Sequence, residues 1–133
     1  MRDILLLNIA GPDRPGVSAA LTEALARHGA NILDIGQAVI HQHISLGILA
    51  EIPRDEDYSS IFKDMLFEGH NMDLDVDIKK VELDSYENWV HAQGKDRRII
   101  TILGRTLSAQ QISAVASVIS ENQLNIDSIT RLT

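Results

Sequence analysis

The chain has 133 residues, no cysteine, and 19 acidic against 12 basic residues, which gives a formal net charge of -7. This balance argues against nucleic acid or an anionic membrane as a partner, because both require a concentrated positive surface. The lack of cysteine excludes disulfides, thiolate nucleophiles and cysteine metal sites. Apolar runs are about four residues long and no secretory signal is visible, so we expect a cytoplasmic protein.

The first part of the chain predicts a strand, a tight turn and a helix. The apolar run from Ile4 to Ile9 predicts a strand, and apolar residues at helical spacing from Val17 predict a helix that ends at Gly29. Between them lies Gly11-Pro12-Asp13-Arg14-Pro15-Gly16, which stops the strand and lets the helix begin. Pro15 suits the first helical turn, whose N–H groups would attract the carboxylate of a small ligand. For the turn in isolation, a plain strand-to-helix connection is the favoured interpretation, and the segments downstream weaken it.

The next segments predict two strands joined by a short turn. Residues 31–40 are β-branched and apolar enough for a second strand, and His41-Gln42-His43 is typical of a tight connection. From Ile44 to Ile52 apolar residues alternate with small or polar ones, which predicts a strand buried on one face. We expect residues 53–57 to form a charged loop.

A second amphipathic helix is predicted from Tyr58 to about Gly69, followed by a fourth strand in which Leu74, Val76 and Ile78 alternate with aspartates. The order β-α-β-β-α-β is that of the ferredoxin-like α+β fold, with both helices on one face of an antiparallel sheet. We assign this fold to residues 1–83.

Residues 84–97 lose the pattern and contain Tyr86 and Trp89, so we interpret them as a linker, with Trp89 packed on a domain surface. Residues 98–133 then resemble the start of the first domain, and we assign them to a partial second one.

This second domain is predicted as a repeat of the first. Residues 98–103 predict a strand that reaches Gly104, Ser108 and Gln111 form a capping-box pattern before a helix, and a second strand is expected over 125–132. Gly104 follows Gly11 by 93 residues, and Asn125 follows Asn31 by 94. The near-constant offset indicates a duplication.

The second copy contains only β-α-β by residue 133. In this fold the third strand lies between the first two, so such a copy has a gap in its sheet and an uncovered apolar face. Either the natural chain is longer or another subunit fills the gap. We favour a longer parent chain and expect the present chain to form a homodimer.

Residues 11–17, followed by 28–34, resemble the start of an ACT domain, a small regulatory module that binds amino acids. Residues 89–95, 103–105 and 124–132 extend the resemblance along the chain to the tandem ACT region of bacterial phosphoserine phosphatases of the SerB type.

In that family a phosphatase domain of the haloacid dehalogenase class follows, with an aspartate nucleophile in an Asp-x-Asp motif and magnesium. The same letters occur at residues 73–75 and 75–77, but the apolar strand required before the motif is missing. We therefore predict no catalytic residue, metal or cofactor in this chain, and place magnesium in the absent catalytic domain. His41 and His43 lack a third ligand at a characteristic spacing, so we interpret them as part of a surface turn.

The resemblance also implies a ligand site between the first turn of one copy and the start of the second strand of a neighbouring copy. The corresponding residues are Gly11, Pro12, Asp13 and Arg14, with Asn31, Ile32, Leu33 and Asp34. The helix amides would hold an α-carboxylate, while Asp13 and Asn31 would accept from an ammonium group. The turn over residues 104–107 lacks the prolines and the aspartate, which predicts a degenerate copy used for dimerisation.

The favoured hypothesis is a non-catalytic, amino-acid-binding regulatory and dimerisation region of a phosphoserine phosphatase in L-serine biosynthesis, with L-serine as the candidate ligand. A freestanding two-ACT protein of the glycine cleavage repressor type, acting through protein partners, is the alternative. A third hypothesis, a region that serves assembly alone, predicts no ligand.

Overall fold

The computed structural model describes residues 2–53, 58–92 and 98–131. The chain divides into two compact units, Met1–Lys95 and Asp96–Thr133. The elements are β1 (Arg2–Pro12), α1 (Val17–Arg27), β2 (Asn31–Ile40), β3 (His43–Pro53), α2 (Ser59–Asn71), β4 (Asp75–Val81), α3 (Leu83–Ala92) and α4 (Ala109–Glu121).

The first unit contains one four-stranded sheet in the order β2-β3-β1-β4. Every neighbouring pair is antiparallel, with β1 and β3 at the centre and β2 and β4 at the edges. The predicted βαββαβ order is confirmed, and β3 lies between the first two strands as expected for this topology.

The core lies between one face of the sheet and the two helices α1 and α2, which contact each other. The alternation predicted for β3 is confirmed, because its even-numbered residues from Ile44 to Ile52 are buried while the odd-numbered ones are exposed or half-buried. Helix α1 buries Val17, Leu21, Ala24 and Leu25 at helical spacing in the same core. The strand side chains that do not enter this core lie on the opposite face of the sheet.

The ends of α1 and α2 differ in how glycine is used. Gly29 follows the end of α1 with φ of 72°, as the sequence predicts for a C-terminal glycine. Gly69 does not end α2, which continues to Asn71, and the left-handed residue beyond it is Asp73, with φ of 58°. A Cβ atom on residue 69 would lie 2.5 Å from Cγ2 of Val76, so this glycine allows β4 to approach the helix.

The turn between β2 and β3 consists of His41 and Gln42, both left-handed, with φ of 46° and 63°. Positive φ at both central residues is the type I′ geometry that matches the twist of a hairpin. The short connection predicted here is confirmed. Residues 54–57 of the predicted charged loop lie outside the described residues.

The predicted linker contains a helix that the sequence analysis missed. Helix α3 occupies Leu83–Ala92, and the rings of Tyr86 and Trp89 lie 5.8 Å apart on it, with Trp89 half-buried. The signal was present, because apolar and aromatic residues recur at positions 83, 86 and 90 with helical spacing. Residues 93–97 of the linker lie outside the described residues.

In the second unit, the capping box of α4 is confirmed: Gln111 N donates to Ser108 Oγ, and Ser108 N donates to Gln111 Oε1. The predicted strands over 98–103 and 125–132 are not observed, since residues 98–131 contain α4 as their one helix or strand, and Leu132 lies outside the described part. A strand requires a neighbour that pairs with its backbone N–H and C=O groups. In the first unit β1 and β2 are both paired with β3 and not with each other, so a β-α-β segment does not pair its own two strands.

Across 2–53, 58–92 and 98–131, no helix is long and apolar enough to cross a membrane.

Candidate functional site

The turn over residues 11–16 begins while the chain is still part of the sheet. Gly11 and Pro12 are the last residues of β1 and pair with Ile44 and His43 of β3. The next residue, Asp13, donates its backbone N–H to the carbonyl oxygen of Gln42 at 2.8 Å. The turn is therefore joined to the tip of the β2–β3 hairpin through the backbone.

Arg14 fixes the other side of this turn. Its Nη2 atom lies 3.0 Å from Oδ2 of Asp73, in the three-residue segment between α2 and β4. Both side chains are largely exposed, so the pair orients the turn more than it stabilises the fold. Asp73 was not among the predicted site residues, because no sequence pattern relates positions 14 and 73.

Gly11 packs against the same segment, at Asp73 and Leu74. A Cβ atom on it would lie 2.8 Å from both the carbonyl oxygen of Asp73 and Cδ2 of Leu74. Glycine at this position therefore allows the turn to lie directly against the start of β4.

Helix α1 begins at Val17, where the apolar spacing predicts it, but Pro15 does not lie in its first turn. Its N-cap is Gly16, in the left-handed conformation with φ of 90° and with no side-chain capping bond, so Pro15 precedes the helix instead of opening it. The first N–H groups of any α-helix have no partner within the helix, and here no capping side chain accepts from them either. Ser18 Oγ donates to Oε1 of Gln37, which places the N-terminal end of α1 over the edge strand β2.

The second predicted cluster, Asn31 to Asp34, lies at the opposite end of the sheet. Asn31 pairs with Glu51, which pairs with Ile4, whereas the turn is level with Pro12. Ile4 and Pro12 are eight residues apart on β1, about 27 Å at ~3.4 Å per residue. A single copy therefore does not bring the two predicted clusters together.

The start of β2 is irregular and accessible. The pairing with β3 shifts between Ile32 and Asp34, which leaves Leu33 as an extra residue, and Oδ1 of Asp34 accepts from the N–H of Ile35 at 3.0 Å. Asn31 is exposed and Ile32 is 42% exposed. The side-chain oxygens of Asn31 and Asp34 can accept hydrogen bonds from a cationic ammonium group, whereas the α1 amides attract an anion.

Strand β2 is also an open sheet edge. Its side chains Ile35 and Val39, on the helix side, are each 47% exposed, and its single charged residue is Asp34. Unpaired strands with few charges are templates for pairing with another chain. A second copy paired along this edge in the antiparallel sense would place its Asn31 beside the Ile40 end of the first, which is the end that carries the turn.

The aspartates of β4 do not form the phosphatase motif. Asp75 and Asp77 both lie within the strand, opposite Ala10 and Asn8 of β1, and not at its C-terminal end. Oδ2 of Asp77 lies 3.6 Å from Nζ of Lys79. These residues do not fit the magnesium site of a phosphoryl-transfer centre. Throughout the part of the chain that the structure describes, no group of three or more His, Cys, Asp or Glu residues could hold a metal ion.

The second copy of the turn differs in its helix cap. Ser108 caps α4 with its own side chain and accepts from the N–H of Gln111, whereas Gly16 leaves α1 uncapped. The side chain therefore occupies an amide of α4 that a ligand would otherwise contact. This contrast agrees with the absence of the prolines and the aspartate from residues 104–107.

Two phosphoserine phosphatases are similar to this chain over nearly all of its length. Phosphoserine phosphatase SerB2 of Mycobacterium tuberculosis is 33% identical over 126 residues, which cover 94% of this chain and 30% of that protein. The phosphoserine phosphatase of Streptomyces coelicolor is 33% identical over 129 residues, or 96% of this chain and 30% of that protein. The chain thus spans less than a third of the length of these curated relatives.

A shorter relative and a solved structure match about three fifths of this chain. UPF0237 protein PAE3582 of Pyrobaculum aerophilum is 27% identical over 85 residues, which are 63% of this chain and 94% of that protein. An ACT domain protein from Streptococcus pneumoniae superimposes with a TM-score of 0.53 at 19% identity, covering 59% of this chain and 89% of that one. The structural likeness agrees with the fold predicted from the sequence.

The sequence model of the ACT domain matches residues 3–79, more than half of the chain and the whole of the four-stranded sheet except its ends. The chain belongs to the ACT domain family.

Proposed function

We propose that this chain is a non-catalytic regulatory and dimerisation region of a phosphoserine phosphatase, acting in the cytoplasm in L-serine biosynthesis. The observation that carries the proposal is the similarity to two phosphoserine phosphatases over 94% and 96% of the chain, including the segment beyond the first unit. The catalytic residues and magnesium of the enzyme would lie in a part of the polypeptide outside these 133 residues.

The proposed ligand is a small amino acid, with L-serine as the first candidate. Its carboxylate would meet the uncapped N–H groups of α1 and the Arg14 guanidinium, both at one end of the sheet. Its ammonium group would be accepted by Asp13 and by Asn31 and Asp34 of a second copy. Because these clusters lie at opposite ends of one sheet, the site would form between two copies paired along β2, and binding would favour the paired state.

Calorimetric titration of the chain with L-serine tests this proposal, with glycine and phosphoserine as comparison ligands. Saturable heat should be lost in Asn31→Ala and in Asp13→Ala. It should be retained in Asn88→Ala, a matched change at an exposed asparagine on α3. A folded protein that gives no heat with any of the three ligands would contradict amino-acid binding and leave assembly as the role.

A freestanding regulatory protein of the glycine cleavage repressor type is the second candidate function. The observation in its favour is the Pyrobaculum relative, 94% of whose length is matched by 85 residues of this chain, with no room for a phosphatase domain. Sequencing the gene beyond the codon for Thr133 separates the two functions: a phosphatase reading frame supports the first, and a stop codon supports the second.

A further inference from the structure

Opposite ends of two helices lie beside the strand-to-helix turn of the first unit. Helix α1 begins at Val17, directly after the turn, whereas α2 ends at Asn71, two residues before Asp73. Because Arg14 of the turn contacts Asp73, both helix ends lie at the same end of the sheet. The N-terminal end of a helix carries a partial positive charge and the C-terminal end a partial negative one. This end of the sheet therefore presents helix ends of both signs.

The charged side chains here follow the same arrangement. Nη2 of Arg14, near the start of α1, lies 3.0 Å from Oδ2 of Asp73, just beyond the end of α2. Within the described residues this is the one polar side-chain contact of the pair. The Asp73 side chain is 76% exposed, so its Oδ1 atom is accessible to a ligand, as are the Nε and Nη1 atoms of Arg14.

The backbone around Asp73 fixes where this carboxylate lies. The N–H of Asp73 donates to the carbonyl oxygen of His70 at 3.2 Å, and the N–H of Leu74 donates to that of Gly69 at 2.8 Å. Asp73 has φ of 58°, a left-handed conformation that aspartate and asparagine adopt more readily than most residues. Its own carbonyl oxygen lies against Gly11. The turn and the end of α2 therefore hold Asp73 from both sides.

We propose that Asp73 binds the ammonium group of the amino-acid ligand, in the same copy whose α1 amides and Arg14 bind the carboxylate. This inference rests on the proposed function and adds a residue and a selectivity to it. The acceptors of the second copy then complete a site whose two charged sides are already present in one copy. The ligand class is a zwitterionic α-amino acid, and a carboxylate that has no ammonium group is selected against.

The spacing of the pair suits this ligand class. A single carbon atom joins the carboxylate and the ammonium group of an α-amino acid, so both groups must be met within a short distance. Arg14 and Asp73 supply a donor and an acceptor whose charged atoms are 3.0 Å apart. In the complex the ligand carboxylate lies beside the guanidinium and the ligand ammonium group beside Asp73. Each charge then has a neighbour of opposite sign.

The local charge accounts for the selectivity. Asp13, Arg14 and Asp73 are two carboxylates and one guanidinium, with a formal net charge of -1. A zwitterion adds no net charge to this group, whereas a carboxylate without an ammonium group adds a negative charge beside the two aspartates. Glycerate has the skeleton of serine with a hydroxyl in place of the ammonium group. Comparison of the two ligands therefore isolates the contribution of the ammonium group.

Calorimetric titration of the 133-residue chain with L-serine, and with L-glycerate as the comparison, tests the proposal in Asp73→Asn. Asparagine retains the shape of the side chain and tolerates the left-handed backbone, so the variant should fold, and urea unfolding checks this. We expect its affinity for L-serine to fall about fivefold, as for the loss of an exposed ion pair. Affinity for L-glycerate should stay the same or rise, because a negative charge has been removed. Equal weakening of both ligands would indicate a structural role and would overturn the proposal.

Asp75→Asn is the matched control. Asp75 is an exposed aspartate two positions further along, paired with Ala10 within the sheet, and its replacement should leave both affinities unchanged. Unchanged L-serine affinity in Asp73→Asn would overturn the proposal. Tighter L-serine binding in that variant would overturn it too, because Asp73 would then compete with the ligand for Arg14.

The proposed function and this inference fail in different ways. If neither ligand gives heat with the unaltered chain, amino-acid binding itself is contradicted, and the role of Asp73 with it. If L-serine binding is lost in Asn31→Ala and retained in full in Asp73→Asn, the proposed function stands and only the role of Asp73 is overturned.

Discussion

Gly11 lies so close to Leu74 that a single added methyl group would be 2.8 Å from the Cδ2 atom of that leucine. The same Cβ atom would meet the carbonyl oxygen of Asp73 at 2.8 Å, and residue 11 has φ of +158°. The contact joins the strand-to-helix turn to the start of β4, and the fold therefore requires glycine where β1 ends.

Gly11→Ala should destabilise the protein by about 1–3 kcal/mol, because the backbone of Asp73 must move to admit the methyl group. Gly36→Ala is the matched control, since a Cβ atom there meets nothing within 4 Å. The free energy of unfolding in urea measures both. Equal stability of the two variants would show that residues 73 and 74 move freely.

Gln42→Gly should raise the midpoint temperature of thermal unfolding. Gln42 has φ of 63°, and glycine adopts this left-handed conformation without the steric cost that other residues meet. We expect the free energy of unfolding to increase by roughly 0.5–1 kcal/mol, since the greater entropy of glycine in the unfolded chain offsets part of the relieved steric strain. Gln42→Ala retains the strain and should give no gain in calorimetry. The carbonyl that accepts from Asp13 is kept in both variants.

The pair formed by Arg14 and Asp73 should contribute little to stability. Its side chains are 44% and 76% exposed, and exposed ion pairs typically contribute about 0–1 kcal/mol. A double-mutant cycle with Arg14→Ala and Asp73→Ala should give a coupling energy within that range that falls further in high salt. If Arg14→Ala removes the heat of ligand binding while unfolding is unchanged, the lost interaction is with the ligand. A large coupling energy would contradict this interpretation.

Ser108→Ala should weaken α4 by ~1 kcal/mol, because it removes the side chain that accepts from Gln111 N. Amide exchange over the first turn of α4 should accelerate several-fold, while the amides of β1 and β3 remain unchanged. Ser113→Ala, inside the same helix and exposed, should leave exchange unchanged or slow it slightly, since alanine favours helices. Unchanged exchange in Ser108→Ala would indicate that the cap does not limit opening of the helix.

The features predicted correctly from the sequence are those that depend on local pattern. The alternation over 44–52 and the apolar spacing from Val17 fix a strand and a helix through contacts within a few residues, and the capping box at Ser108 is local as well. The order of these elements then leaves few possible topologies. Helix α3 was missed although its spacing was visible, because polar composition was taken as the mark of a linker.

Contacts between distant segments were not visible in the sequence. No pattern relates Arg14 to Asp73, and Gly69 was taken for a helix end because its use, space for Val76, depends on how β4 crosses α2. The predicted site residues Gly11 to Arg14 and Asn31 to Asp34 were assigned by resemblance, and only the register of the sheet shows that they occupy its opposite ends.

The amino-acid sequence by itself determined the identity and order of β1 to β4, α1, α2 and α4, because hydrophobic period, turn residues and caps act over a few positions. Tertiary structure decided which of them pair, since a strand exists only when a neighbour satisfies its backbone groups. For this reason Ile4 to Ile9 lie within a strand, whereas residues 98–103, with the same apolar character, do not.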